Sequence, residues 1–450
     1  MPKKTVNQPS LPINLPDLTM INKEDNSKPL SEIPGLKKEN KKVILVTVDT
    51  LRAESLMTYG YTRNTSENID RFAKENNVTV FKNAFTPVPE TVPAHVSLLT
   101  GLYPNKTGYR TNVNRNPNQN KTPLVTISKI FNDNGYSTAG FYSSTVFTLA
   151  DNLDLGFQTY DPPITYTWSD RVEISAKETN EKVFNWLDDH SSEDFFLWVH
   201  YYEPHNPYEP FCTKDLYSKG LVPSNKDYID GAIKISDRSL WKNITDSDNK
   251  YLLAKYDEEI YCFDKEFGRF IEKLKSLDIY EDVTLVVFGD HGENFDHQSL
   301  FHGTNLYQSA VHIPLIVKSP LIKINGNENN VSLVDIFPTF LSYFRLKNNI
   351  NLSNLDGIDL ARLSLNKNRV LYMESRLPAE FSKQITTSDS LTYGVIFNDL
   401  KLLRSPKSQE LYRVSSDRKE ENNLFEQVKS SKQILQLTNL LKKYVTSFND

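Results

Sequence analysis

Three apolar segments that each end in acidic or histidine residues constrain the fold of this chain most strongly. The segments read KKVILVTVD (41–49), DFFLWVHYYEPH (194–205) and DVTLVVFGDHGE (282–293). Their apolar parts are continuous and rich in β-branched and aromatic residues, without the polar alternation of a half-buried strand. This pattern predicts strands that are buried on both faces of a sheet.

Amphipathic segments lie between these strands. Apolar residues at helical spacing predict helices at 66–76, 125–134 and 248–277, the last with an apolar face running from Leu252 to Leu274. Strand and helix alternate over roughly 300 residues, which is typical of layered α/β proteins. The sequence therefore predicts an α/β fold with a mostly parallel sheet flanked by helices.

The pattern changes after about residue 345. Short strand-like pieces read RVLYME (369–374), TYGVIF (392–397) and LKLLRS (400–405), and an amphipathic helix is predicted at 431–447. These pieces predict a small antiparallel C-terminal subdomain, residues 346–450, with a closing helix. It would follow a main α/β domain at 41–345.

The first forty residues are rich in Lys, Asn, Pro and Ser, so we expect a flexible tail over 1–40. The chain as given has no apolar run long enough for a membrane span and no signal-peptide pattern. Its compartment stays open: cytoplasmic by default, or periplasmic if a leader has been removed.

Charge and cysteine content exclude some classes of protein. The net charge is −5 with a pI near 6.0, and the basic residues are scattered, so no nucleic-acid partner is expected. The two cysteines, Cys212 and Cys262, lie far apart without metal-site spacing. This argues against a disulfide framework and a thiolate metal site, and both are predicted to be inert packing residues.

The residues at the strand ends are of metal-ligand types. Carboxyl ends of parallel strands meet at one edge of a sheet, which would bring together Asp49, His200 with His205, and Asp290 with His291. One strand-end aspartate alone could equally cap the next helix. The combination of Asp49, Asp290 and His291 predicts a metal site, and mixed carboxylate and imidazole ligands favour zinc, manganese or iron over calcium.

A threonine opens a second informative stretch, PETVPAHVSLLTGLYP (89–104). Thr91 precedes Pro93 at the start of an apolar helix, a common position for a helix cap. The alternative is that metal coordination activates its hydroxyl as a nucleophile, with amide groups at the helix start receiving an anionic substrate group. Local pattern alone does not separate these two interpretations.

The motifs together resemble the sulfatase family of the alkaline phosphatase superfamily. They are VILVTVDTLRAESLMTYGY, TVPAHVSLLTGLYP, LWVHYYEPHNPY and VVFGDHGENF, followed by LFHGTNLY and IPLIVKSP. Three later pieces, VSLVDIFPTFL, LDGIDL and LKLLRS with ELYRVSSD, extend the resemblance over residues 41 to about 425. It implies an alkaline-phosphatase-like fold and an ester hydrolase that depends on a divalent metal.

The resemblance also implies roles for individual residues. Asp49, Asp290 and His291 match metal ligands, and Thr91 matches the nucleophile, which also contacts the metal. His205 and His302 match positions that contact the anionic oxygens or the leaving group of the substrate. His200 is a weaker candidate that orients a neighbour.

Several departures from the family pattern matter for the chemistry. Sulfatases carry Cys or Ser where Thr91 stands, for conversion to formylglycine, whereas oxidation of threonine would give a ketone. Thr50 stands where many sulfatases have a second aspartate, and His291 replaces an asparagine. The Lys and His pair expected near 138–147 is also missing. These differences resemble the threonine-nucleophile branch and fit zinc or manganese better than calcium.

The sequence thus predicts a hydrolase of phosphate, phosphonate or sulfate esters that works through a covalent Thr91 intermediate. Its substrate would be a small molecule, a lipid headgroup or a glycan ester. Transfer of the group to an alcohol, a sulfuric ester hydrolase and a non-catalytic anion-binding protein remain alternatives. One metal site is expected, because a second would need ligands beyond His205, His302 and Glu203.

Three loops, at 105–122, 146–170 and 206–247, are expected to set specificity. Their aromatic residues could form substrate platforms or simply pack; they are Tyr109, Tyr166, Trp168 and Tyr208.

Overall fold

The computed structural model describes most of the chain from residue 41 onward. The described ranges are 41–112, 124–149, 153–161, 173–234, 244–296, 299–320, 327–361, 369–376 and 391–446. The expected tail at 1–40 lies outside these ranges, as do Tyr166 and Trp168. None of the described helices combines the length and apolar character that crossing a bilayer requires.

Twelve strands lie within the described ranges. They are β1 (Lys42–Val48), β2 (Val78–Phe85), β3 (Ser137–Tyr142), β4 (Thr159–Asp161), β5 (Phe195–Tyr201), β6 (Val283–Gly289), β7 (His312–Lys318), β8 (Asn330–Ser332), β9 (Val370–Arg376), β10 (Leu391–Phe397), β11 (Leu400–Arg404) and β12 (Gln409–Arg413).

Eleven α-helices lie within the same ranges. They are α1 (Glu67–Phe72), α2 (Thr91–Thr100), α3 (Pro104–Thr107), α4 (Ile127–Asp133), α5 (Ala176–His190), α6 (Lys226–Lys234), α7 (Asp246–Ser276), α8 (Gln308–Val311), α9 (Ile336–Tyr343), α10 (Phe425–Val428) and α11 (Lys432–Thr446).

The main sheet has the strand order β4-β3-β5-β1-β6-β7-β2-β8. β1 lies between β5 and β6 and pairs with both in parallel, so that Val48 is in register with Tyr201 and with Gly289. Only β7, among the described strands of this sheet, runs in the opposite direction. The predicted α/β fold with a mostly parallel sheet is confirmed, and the carboxyl ends of the three predicted strands are neighbours.

The continuous apolar strands fill two hydrophobic layers. Ile44 and Val46 of β1 point into the layer that contains Phe263 and other residues of α7. The residues between them, such as Leu45, point into the opposite layer, which contains residues of α2 and α9. Successive side chains of a strand alternate between faces. Because both faces are covered, no position in the middle of β1 can be polar without a partner.

The predicted long helix at 248–277 is observed as α7. Thr245 caps it, since its hydroxyl accepts a hydrogen bond from the Asp248 amide while the Asp248 carboxylate accepts one from the Thr245 amide. The other two predicted helices correspond to α1, which is shorter than predicted, and α4.

The C-terminal strands form a separate antiparallel sheet of order β12-β11-β10-β9, as predicted. The closing helix α11 covers it with Ile434, Leu437 and Leu441. This sheet also holds the loop before α2, because the Glu374 amide of β9 donates to the Pro87 carbonyl at 2.9 Å. The Arg110 guanidinium lies 3.2 Å from the Glu374 carboxylate. The boundary at 345/346 remains a prediction.

The prediction for the two cysteines was wrong. Cys212 and Cys262 form a disulfide with a Cα–Cα distance of 5.5 Å. Cys262 lies on the buried face of α7, and Cys212 lies on the loop that follows β5. The bond joins residues 50 positions apart. Sequence spacing could not reveal this pair because the contact exists only when that loop packs onto α7.

Candidate active site

Four predicted site residues converge at the carboxyl edge of the main sheet. Asp49 follows β1, Asp290 and His291 follow β6, and Thr91 begins α2. The His291 Nε2 atom lies 3.7 Å from Asp49 Oδ1, 3.5 Å from Asp290 Oδ2 and 3.3 Å from the Thr91 hydroxyl oxygen. All four residues are at most 2% exposed. This arrangement places the hydroxyl of Thr91 beside a potential metal-ligand set.

The electrostatics of the set suit a divalent cation. Burial, and then the charge of Asp290, raise the pKa of Asp49 well above its usual value. Burial opposes the charged form of His291, but the Asp290 and Asp49 carboxylates outweigh it and raise the pKa of that imidazole. Asp49 Oδ1 and Asp290 Oδ2 have no hydrogen-bond partner among the described residues. Buried carboxylate oxygens without donors are costly, and a bound cation removes that cost.

Backbone contacts fix the orientation of these ligands. Asp290 Oδ1 accepts hydrogen bonds from the amides of Thr50 and His291, at 3.2 and 2.8 Å, which leaves Oδ2 facing the site. The His291 Nδ1–H donates to the Gly292 carbonyl at 3.0 Å. Such a bond holds the lone pair on Nε2, the usual state of a metal-ligating histidine. The residues present therefore fit a divalent metal.

Gly292 allows the loop after β6 to pack closely. A Cβ atom at this position would lie 2.0 Å from the Ser309 carbonyl oxygen. The Gly292 amide donates to the Ala310 carbonyl at 2.8 Å. Any larger residue would push the loop, and with it His291, out of place.

Backbone strain is present on both sides of the set. Thr50 has φ +56° and Phe301 has φ +64°, in the left-handed region. A β-branched or bulky residue is rarely found there, and such strain tends to occur at functional sites. Thr50 directly follows Asp49, and Phe301 directly precedes His302.

Thr91 is not the cap of its helix. The N-cap of α2 is Glu90, which makes no side-chain cap bond, and Thr91 is the first helical residue. The prediction that amide groups at the start of this helix receive an anionic group of the substrate was also wrong for residues 92 and 93. Asn112 accepts a hydrogen bond from the Val92 amide at 2.9 Å, and Pro93 has no amide hydrogen.

His205 and His302 lie beside the set. The ring centroids of His302 and His291 are 4.3 Å apart, and those of His205 and His302 are 5.0 Å apart. The Glu293 carboxylate lies 3.3 Å from His302 Nδ1 and accepts a hydrogen bond from the Tyr208 hydroxyl at 3.2 Å. Tyr208 therefore helps to hold the Glu293 carboxylate beside His302. The substrate roles of His205 and His302 remain predictions.

Two further histidines lie close to the two aspartates. His200 Nε2 lies 3.5 Å from Asp49 Oδ2, and His95 Nδ1 lies 3.8 Å from Asp290 Oδ2. Burial lowers the pKa of His95 to about 3 and that of His200 to about 4. The sequence reasoning missed His95, although its position four residues after Thr91 puts both on one helix face.

Two other sequence candidates lie elsewhere in the fold. Glu203, considered for a second metal, accepts a hydrogen bond from the Ala176 amide at 2.8 Å, at the start of α5. Burial raises the pKa of Glu203 to about 7. Tyr109 is 3% exposed and packs in the hydrophobic layer of α2.

Comparisons with known proteins agree with the predicted family and fold. The family model described as Sulfatase matches residues 41–346. The chain is 24% identical over 458 residues to the uncharacterized sulfatase YidJ of Escherichia coli (strain K12), covering 90% of this chain and 87% of that protein. It is 24% identical over 304 residues to Arylsulfatase K of Canis lupus familiaris, covering 58% of this chain and 56% of that protein.

Two solved structures share the fold. A putative sulfatase from Bacteroides thetaiotaomicron superposes with a TM-score of 0.71 at 20% identity, covering 92% of this chain and 93% of that chain. The phosphonate monoester hydrolase of Agrobacterium radiobacter gives a TM-score of 0.67 at 17% identity, covering 91% and 96%. Because the family model spans more than half of the residues and includes every strand that leads into the site, this chain belongs to the sulfatase family of ester hydrolases.

Proposed function

We propose that this protein is a metal-dependent hydrolase that cleaves phosphate or related esters, phosphonates and sulfates among them, through a covalent intermediate on Thr91. The observation that carries the proposal is the position of the Thr91 hydroxyl, 3.3 Å from His291 Nε2 and beside two buried carboxylates. A hydroxyl that only stabilised the helix would have no reason to face a ligand set.

Asp49, Asp290 and His291 would hold the metal, with the Thr91 oxygen next to it. The bound ion supplies positive charge that acidifies the hydroxyl and stabilises charge on the transferred group. Two carboxylates and an imidazole suit zinc or manganese better than calcium, which takes only oxygen ligands.

The reaction would proceed in two displacements. In the first, the Thr91 hydroxyl gives up its proton and its oxygen bonds to the phosphorus or sulfur centre while the bond to the ester oxygen breaks; the leaving alkoxide takes up a proton and departs as the alcohol. In the second, water attacks the same centre and loses a proton while the bond to Thr91 breaks, and the Thr91 oxygen takes up a proton to restore the hydroxyl. His205 and His302 would contact the oxygens of the transferred group from the open side.

Thr91 favours phosphorus esters, since threonine cannot become formylglycine. Relatives are named both for sulfatases and for a phosphonate monoester hydrolase, so both classes belong in the test. A transferase would follow the same first step and pass the group to an alcohol in place of water.

A substrate panel with covalent trapping tests the proposal. Zinc-loaded and manganese-loaded protein is assayed with aryl phosphate monoesters, diesters, phosphonates and sulfates, with Thr91→Ala as the control. We expect phosphorus esters to be hydrolysed fastest, and acid quench to leave added mass on the peptide that contains Thr91. Anion binding without turnover would support the binding-protein alternative. Product that increases with added alcohol would support the transferase.

The two outer histidines give a separate prediction. His205→Ala and His302→Ala should each lower turnover by about 10²-fold or more while bound metal stays unchanged, because each loses a contact to developing negative charge. His190→Ala is the control, since that ring stacks on Trp186 at the end of α5. Loss of metal in either test variant would make that residue a ligand and contradict the assigned role.

A further inference from the structure

We propose that His95, His200 and Asp290 form a second cation site, so that Asp290 is shared between two metal ions. One potential ligand atom from each residue lies within 4.8 Å of the other two. The inference rests on the metal centre of the proposed function, but it does not depend on Thr91 being the nucleophile.

Unpartnered polar atoms are concentrated at this position. Among the described residues, neither ring nitrogen of His200 has a hydrogen-bond partner, and neither has His95 Nε2 nor Asp290 Oδ2. The three residues are at most 1% exposed. A neutral histidine with an unpaired, buried ring nitrogen loses the hydrogen bond that water would have given it. Several such atoms around one point are explained by a cation that accepts their lone pairs.

The tautomer of His95 fits a ligand. Its Nδ1 lies 2.7 Å from the Thr91 carbonyl oxygen, which can only accept, so Nδ1 carries the hydrogen. The lone pair is then on Nε2, as it is on His291, whose Nδ1–H also donates to a backbone carbonyl. Metal-bound histidines generally show this second hydrogen bond. His95 is thus held in the same tautomer as His291, a proposed ligand of the first site.

Asp290 Oδ2 is placed to serve both ions. Backbone amides hold Oδ1, while Oδ2 lies 3.5 Å from His291 Nε2 and faces the His95 ring, whose Nδ1 lies 3.8 Å away and whose Nε2 would be the ligand atom. His200 Nε2 also approaches Asp49 Oδ2 at 3.5 Å. The two ligand sets would therefore share the Asp290 carboxylate, as in other sites that bind two metal ions.

Aromatic rings enclose the second set. The ring of Phe147 packs edge-on against both histidines, with centroid distances of 4.9 Å to His95 and 4.7 Å to His200. Trp198 covers His95 at 5.1 Å. An apolar wall raises the cost of unpaired polar atoms, and two imidazoles with one carboxylate select a borderline transition ion such as zinc, cobalt or nickel over calcium or magnesium.

Metal stoichiometry tests the proposal without reference to activity. Purified full-length protein is saturated with zinc, freed of excess ion and measured by elemental analysis and native mass spectrometry. We expect about two ions per chain in the wild type and about one in His95→Gln and in His200→Gln. His312→Gln is the matched control, since His312 is also buried and bonds the Lys82 carbonyl away from the site.

The metal content of the wild-type protein tests the second site even if a variant fails to fold. About one ion per saturated wild-type chain would overturn the second site and leave the proposed function intact. Cobalt-loaded protein should give an electron paramagnetic resonance spectrum of two coupled ions, and coupling should vanish in His200→Gln. Uncoupled cobalt in the wild type would also overturn the proposal. Activity retained in Thr91→Ala would refute the role of Thr91 as nucleophile but would leave the second cation site untouched.

Discussion

Thr91→Ala is expected to abolish ester hydrolysis, with turnover falling on the order of 10³-fold or more. The variant removes the hydroxyl that is proposed to form the covalent bond and leaves the proposed ligands Asp49, Asp290 and His291 in place. Thr91→Ser keeps the hydroxyl and should retain much of the activity. Turnover of the best substrate of the panel, measured for all three proteins at equal metal content, checks this result.

The stability of Thr91→Ala distinguishes a nucleophilic role of Thr91 from a structural one. Loss of a helix cap costs about 1 kcal/mol, but the N-cap of α2 is Glu90, so the free energy of unfolding of Thr91→Ala should change by less than about that amount. Denaturant unfolding of the two proteins measures the difference. An active Thr91→Ala with a lowered free energy of unfolding would return Thr91 to a purely structural role.

Asp290→Asn should remove bound metal and, with it, nearly all turnover. The amide oxygen of asparagine can still accept the hydrogen bonds from Thr50 and His291, so the loop should keep its shape. The lost negative charge is the one that faces His291 and His95. Metal content measured after dialysis should fall to near zero, because a carboxylate is far the stronger ligand.

Asp264→Asn is the matched control for this variant. Asp264 is another buried aspartate that accepts backbone amides, those of Asn68 and Ile69, but it lies on α7. Its substitution should leave metal content unchanged. If Asp290→Asn kept its metal, or if active wild-type protein contained only calcium, the ligand assignment would be wrong.

The convergence of the predicted metal ligands could be foreseen because parallel strands of one sheet all end at the same edge. Once 41–49 and 282–293 are recognised as buried strands of one parallel sheet, Asp49 and Asp290 must end at the same edge. Placing Thr91 required the resemblance to a family, since its helix lies between strands and can approach the edge in several ways.

Contacts between distant loops could not be predicted. The amide of Val92 is bonded by Asn112, twenty positions along the chain, and no local pattern marks that pair. The Cys212–Cys262 bond depends in the same way on a loop reaching α7. His200 was a weak candidate because its strand alternates between two faces, and which face meets the ligands depends on packing.

The hydrogen bond between Glu374 and Pro87 bears on how such proteins can be recombined. The C-terminal sheet holds the segment that leads into α2, and Arg110, two residues before the Asn112 that bonds Val92, lies against the same glutamate. A chimaera that joined residues 41–345 to the C-terminal part of a distant relative would have to recreate these contacts. Exchange of the first part alone would therefore disturb the helix that carries Thr91.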